Sequence, residues 1–133
     1  MTSVMIVENP EKPCLSAKKL LSSINYDIVF QTSNGYEAIE KYGILKPDLL
    51  LLDIVLSKHN GLSVLKELKN KYPESKIIIT TMLPNTEILA ECTKSGANAC
   101  VTIPYKLKDF VTLITSVCNS SKTKPKVAPI IIE

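Results

Sequence analysis

The sequence predicts an α/β fold, a parallel sheet with helices on both faces, and three observations carry that prediction. Short apolar runs alternate five times with longer amphipathic stretches, the rhythm of strand–helix repeats joined by right-handed crossovers. The short runs are apolar throughout, as in strands buried on both faces. At 133 residues the chain has the size of one domain and is long enough to bury a core.

Val4-Met5-Ile6-Val7 predicts the first strand, which stops at Glu8-Asn9-Pro10. A helix follows over about 12–24, with Leu15, Leu20, Leu21 and Ile24 as its stripe. Asp27 to Gln31, around Ile28-Val29-Phe30, predicts the second strand. Ser33-Asn34-Gly35 makes a turn that caps a helix carrying Ala38, Ile39, Tyr42 and Leu45, closed by Lys46-Pro47. Leu49 to Leu52 is the third strand and delivers Asp53 at its carboxyl end. Asn60-Gly61 opens a helix with Leu62, Leu65 and Leu68 on one side, broken at Pro73. Ile77 to Thr81 is the fourth strand, and Pro84-Asn85 leads into a helix with Ile88, Leu89 and Cys92 that stops at Ser95-Gly96. Ala99 to Ile103 is the fifth strand, ending at Pro104. Leu107, Phe110, Val111, Leu113, Ile114 and Val117 mark the last helix. Residues 1–121 are thus expected to form the domain and 122–133, Lys/Pro-rich with an apolar Ile130-Ile131-Ile132 end, a linker or tail.

Composition narrows the function classes. Hydrophobic residues at 45% and charged residues at 22% are those of a globular chain and exclude a disordered one. No apolar run nears the ~20 residues that span a bilayer, and no basic stretch precedes the first apolar run as in a signal peptide. A cytoplasmic location is the expectation. Cys14, Cys92, Cys100 and Cys118 are scattered, which argues for reduced core residues rather than a metal or disulfide framework. All sixteen basic residues are lysine. Lacking arginine, the residue suited to forked contacts with guanine and phosphate, the domain is not expected to bind nucleic acid.

In an open parallel sheet, ligands bind outside the carboxyl ends of the strands. The residues at those ends are Glu8-Asn9, Gln31, Asp53, Thr80-Thr81 and Ile103-Pro104. Two acids together with amide and hydroxyl side chains therefore meet at one rim. Oxygen donors of that kind suit Mg²⁺, and a carboxylate such as Asp53 can accept a phosphoryl group as a nucleophile. Spacing alone leaves a plainer reading open, in which Asp53 caps the next segment.

Over about residues 3–120 the chain resembles the receiver domains of two-component response regulators. Pro47-Asp48-Leu49-Leu50-Leu51-Leu52-Asp53-Ile54, then Asn60-Gly61-Leu62-Ser63-Val64-Leu65, resembles the family's phosphoacceptor strand and following helix. Ser95-Gly96-Ala97-Asn98 resembles its Gly-Ala turn, and Val101-Thr102-Ile103-Pro104-Tyr105 its fifth-strand end. The resemblance implies a flavodoxin-like, doubly wound (βα)₅ sheet of strand order 2-1-3-4-5. It implies Asp53 as phosphoacceptor and Thr81 as switch hydroxyl, with Thr80 as the alternative one register step away. Glu8, Asn9, Asp53 and the backbone carbonyl of Val55 would hold Mg²⁺. A histidine kinase or phosphotransfer protein would be the partner, with an output domain beyond the C-terminus and homodimerisation left open.

The departures from the pattern are specific. Ile103 stands where the family has a lysine, Asn9 where it has the second acid, and Met82 where a small residue follows the hydroxyl. Cys100 holds the aromatic switch position, and Ser57-Lys58 replaces Pro-Gly in the loop after the phosphoacceptor. Glu8 and Asp53 leave the empty pocket at minus two, the same sum as the family's three acids and one lysine. A phosphoryl group adds about −1.5 to −2, so weak Mg²⁺ binding and altered switching are expected. The alternative is a phosphorylation-independent pseudo-receiver that binds partners through residues 84–118. A flavin or nucleotide enzyme on the same architecture would need a phosphate-binding loop after the first strand, which Glu8-Asn9-Pro10-Glu11-Lys12-Pro13 does not supply.

Overall fold

A computed structural model describes residues 2–9, 21, 25–56, 60–82, 85–102, 106–119 and 131–132. Its strands are β1 (Thr2–Val7), β2 (Tyr26–Thr32), β3 (Leu49–Asp53), β4 (Ile77–Thr81), β5 (Ala99–Thr102) and β6 (Ile131–Ile132). Its helices are α1 (Gly35–Leu45), α2 (Gly61–Lys71), α3 (Thr86–Lys94) and α4 (Leu107–Cys118). Of the helix expected over 12–24, only Leu21 lies within the described residues, helical and fully buried. Ile103-Pro104-Tyr105, Ser57-Lys58 and the tail up to Ile130 lie outside them.

All strand pairs are parallel, in the order β2-β1-β3-β4-β5-β6. The five expected strands hold the expected order, and a sixth, two-residue strand extends the sheet beyond β5. A bulge between Val4 and Met5 shifts the β1–β2 register by one residue.

Strand alternation divides the core into two layers. Met5, Val7, Leu50, Leu52, Ile77, Ile79 and Cys100 pack with α1, α2 and α3. Val4, Ile6, Leu49, Leu51, Ile78, Ala99 and Val101 pack with Leu21 and α4. Each of the Leu, Ile, Val and Met side chains among them contributes about 1.5–3 kcal/mol by leaving water, which makes the sheet a rigid platform for its rim.

Three helices start on an asparagine cap. Asn34 Oδ1 accepts from the N–H groups of Tyr36 (2.9 Å) and Glu37 (3.4 Å), Asn60 Oδ1 from Leu62 (2.8 Å), and Asn85 Oδ1 from Glu87 (2.9 Å) and Ile88 (3.2 Å). Such a cap satisfies donors that the first helical turn leaves open. Lys46 ends α1 in the left-handed region at φ 43°, where only Pro47 follows. Leu45, expected in the buried stripe, is 41% exposed, because Ala38, Ile39 and Tyr42 already cover the sheet.

Candidate functional site

The parallel register brings the carboxyl ends of β1, β3, β4 and β5 to one rim. Asp53 ends β3 and stands in register with Thr80, while Thr81 stands in register with Thr102. Glu8 and Asn9 follow directly on Val7, the end of β1. The Asn9 backbone N–H donates to Asp53 Oδ2 at 3.2 Å across 44 residues of sequence. Gln31 Nε2 donates to Glu8 Oε1 at 3.2 Å, which orients that carboxylate from β2. Glu8 and Asp53 are only 8% and 5% exposed. Burying carboxylates is costly unless hydrogen bonds or a cation meet them, so a rim with two of them is built for something other than stability.

The backbone around Asp53 is fixed on two sides. Ile54 N–H donates to Thr80 O and Gly61 N–H to Ile54 O, each at 3.0 Å, and an antiparallel bridge joins Val55 to Asn60. Gly61 is needed for this approach. A Cβ there would lie 2.3 Å from Asp53 O and 2.7 Å from both Cα and O of Ile54, all backbone atoms that cannot swing aside.

Both candidate hydroxyl residues, Thr80 and Thr81, are buried. The pleat places Thr80 on the face of Ile78 and Thr81 on that of Ile79, and Asp53 on that of Leu51. Thr80 is therefore the direct neighbour of Asp53, and Thr81 sits one step further out. Met82 is 43% exposed at the same rim, and Val55 is exposed.

Cys100 is fully buried, and its thiol is hydrogen-bonded to that of Cys92. That bond and burial push its pKa up, while the same bond lowers that of Cys92. Cys100 thus fills the core between β5 and α3.

The donor set fits a hard divalent cation. Two buried carboxylates, from β1 and β3, are tied together through Asn9, and the Val55 carbonyl lies two residues beyond Asp53. All are oxygen ligands of the kind Mg²⁺ takes alongside its own waters. Glu8 and Asp53 bring two negative charges to the rim, while the Asn9 amide and the Val55 carbonyl bring none.

Sequence reasoning missed two features of this rim. One is the close approach of Gly61 to Asp53, hidden because any helix start tolerates glycine. The other is Thr102, whose buried Oγ1 has no hydrogen-bond partner among the described residues. A polar residue closing an otherwise apolar strand was the available signal.

The family model for the response regulator receiver domain matches residues 4–115. The chain is 29% identical over 114 residues to the chemotaxis protein CheY of Thermotoga maritima, covering 86% of this chain and 95% of the relative. Its fold superposes on a CheY-like receiver domain protein from Methanospirillum hungatei with a TM-score of 0.80 at 22% identity, over 90% of this chain and 94% of the other. It superposes equally well on a CheX–CheY–BeF₃–Mg²⁺ complex from Borrelia burgdorferi, with a TM-score of 0.79, 20% identity and 90% of each chain covered. No helix among the described residues is long and apolar enough to cross a membrane.

Proposed function

The chain belongs to the response regulator receiver family, and from that premise we propose that Asp53 is its phosphoacceptor, working in a pocket of reduced cation affinity. It is a receiver domain of two-component signalling, a signalling module rather than a stand-alone enzyme. The observation that carries the proposal is the buried Asp53 carboxylate at the end of β3, fixed by the Asn9 N–H.

In this reading the Asp53 carboxylate attacks the phosphorus of a phosphohistidine on a histidine kinase or phosphotransfer protein. The new O–P bond forms as the P–N bond breaks, and the imidazole keeps the electron pair. Glu8, Asn9, Asp53 and the Val55 carbonyl would hold Mg²⁺, the group carried by the Borrelia complex with BeF₃. Positive charge against the phosphoryl oxygens is the chemistry that ion supplies. Thr81 would hydrogen-bond the phosphoryl group, with Thr80 as the alternative. Two points support weak Mg²⁺ binding: Asn9 brings an amide where a carboxylate would bring charge, and residue 103 is isoleucine rather than a cation.

The receiver unit would span 1–121, act in the cytoplasm without touching nucleic acid, and signal to an output domain beyond residues 122–133. Intact mass after incubation with acetyl phosphate and Mg²⁺ tests the chemistry. One phosphoryl adduct on the parent and none on Asp53→Asn is expected. Absence of an adduct on the parent would replace this reading with the phosphorylation-independent interaction domain. A loss of adduct lifetime or of phosphoryl-induced amide shifts in Thr81→Val but not Thr80→Val, or the reverse, identifies the hydroxyl.

A further inference from the structure

We propose that the edge of β5 is a strand-docking site that this chain closes with its own Ile131–Ile132 segment, and that this cap blocks pairing of β5 with a second copy of the chain. The inference is independent of chemistry at Asp53.

Without β6, β5 would be the edge of the sheet. All four of its residues, Ala99 to Thr102, are buried, so the strand bears no charged or proline residue of the kind that deters edge-to-edge pairing. β6 meets that edge in parallel, with Cys100 opposite Ile131 and Val101 opposite Ile132. The direction is the one the chain can reach. α4 follows β5 and runs back along the sheet, so a strand entered after it and parallel to β5 completes one more β–α–β crossover. Residues 120–130 lie between Asn119 and β6. Eleven residues span up to ~36–40 Å when extended, about twice the ~18 Å length of a twelve-residue helix such as α4.

The cap is short, and that makes it displaceable. Two residues can add only a few ladder bonds, whereas a tether gives the segment an effective concentration on the order of mM. At micromolar protein the tethered strand outcompetes a second copy by about 1,000-fold. When it is displaced, two β5 edges can pair antiparallel about a two-fold axis, because one patch then meets its identical copy.

The test compares the parent with Ile131→Pro/Ile132→Pro, which leaves the rest of the chain unchanged and removes both β6 donors. Backbone amides alternate in direction along a strand, so some of Ala99–Thr102 face β4 and the others face β6. The parent should sediment as a monomer at 10–100 µM, roughly the range in which the tether dominates. The proline variant should show at least ~10-fold faster hydrogen exchange, at low micromolar concentration, at the β6-facing amides only, and dimerise as its concentration is raised. The β4-facing amides are the internal control for folding. Equal exchange in both proteins would show that β6 does not dock. Faster exchange in a variant that stays monomeric throughout would show that the cap blocks no self-association. Either result overturns the proposal.

Discussion

The two rims of one sheet use similar polar residues to opposite ends. At the amino rim, polar side chains latch elements together. Asp48 accepts from Ser3 N–H at 2.9 Å and Oγ–H at 3.1 Å, and its own N–H donates to Ser3 Oγ at 2.9 Å, joining β3 to β1. The Lys69 ammonium donates to Ser75 O and, at 2.9 Å, to Asn98 Oδ1, which also accepts from Ile77 N–H at 2.9 Å. Lys76 donates to Cys118 O, fastening β4 to the end of α4. At the carboxyl rim two carboxylates are buried instead, Asp53 held by the Asn9 N–H and Glu8 by Gln31. Polar groups that stabilise are spread along the amino rim, each in its own latch; at the carboxyl rim Glu8 and Asp53 are buried at the ends of two neighbouring strands, at some cost in stability.

The largest expected effect is at the carboxyl rim's backbone. Gly61→Ala should lower stability by about 2–3 kcal/mol in urea unfolding, because the new methyl meets Asp53 and Ile54 backbone. Unchanged stability would mean that the chain around Asp53 is looser than its bonds imply. Asp48→Ala should cost about 1 kcal/mol through the lost latch, with phosphoryl uptake intact; a parallel loss of uptake would erase the contrast between rims.

Lys69 sharpens the contrast through pH. Burial lowers its pKa to about 8 from the usual 10.5. Between those values Lys69 binds more protons in the unfolded chain than in the folded one, so its contribution to stability should rise with pH from about 8. Tyr42, whose pKa burial raises above 10, and the Cys100 and Cys118 thiols, raised above 9, act in the opposite sense, so the gain from Lys69 is read as the difference between the parent and Lys69→Met across pH. Lys69→Met should flatten that rise and cost about 1 kcal/mol in a denaturant series. A parent-minus-variant difference that stays flat from about pH 8 to 9.5 would show that its two oxygen partners, rather than burial, govern the lysine.

The smallest effect carries the opposite sign. Asp53→Asn keeps an acceptor for the Asn9 N–H while removing one buried charge, so it should leave stability unchanged or raise it by up to about 1 kcal/mol. A clear destabilisation would make Asp53 a latch like Asp48.

Much of this molecule was legible from local pattern. Leu49-Leu50-Leu51-Leu52 could only be a buried strand, and its end placed Asp53 at the rim where parallel sheets bind ligands. Ser33-Asn34-Gly35 read as a cap because the first turn's open donors need a nearby side-chain oxygen, and Asn60 and Asn85, read only as helix starts, cap in the same way. Ile130-Ile131-Ile132 read as a tail, since three β-branched residues announce a strand only when an edge is there to receive them.

The sequence by itself determined β1 to β5, the four described helices, the parallel pairing and the residue types at the rim, because periodicity and capping act within a few residues of chain. Only the tertiary structure decided which of Thr80 and Thr81 stands in register with Asp53, that Asn9 fixes its carboxylate, that Gly61 must lack a side chain, and that Lys69 is half-buried between Ser75 and Asn98. Those facts depend on contacts between segments tens of residues apart, where a one-residue slip in register exchanges every neighbour.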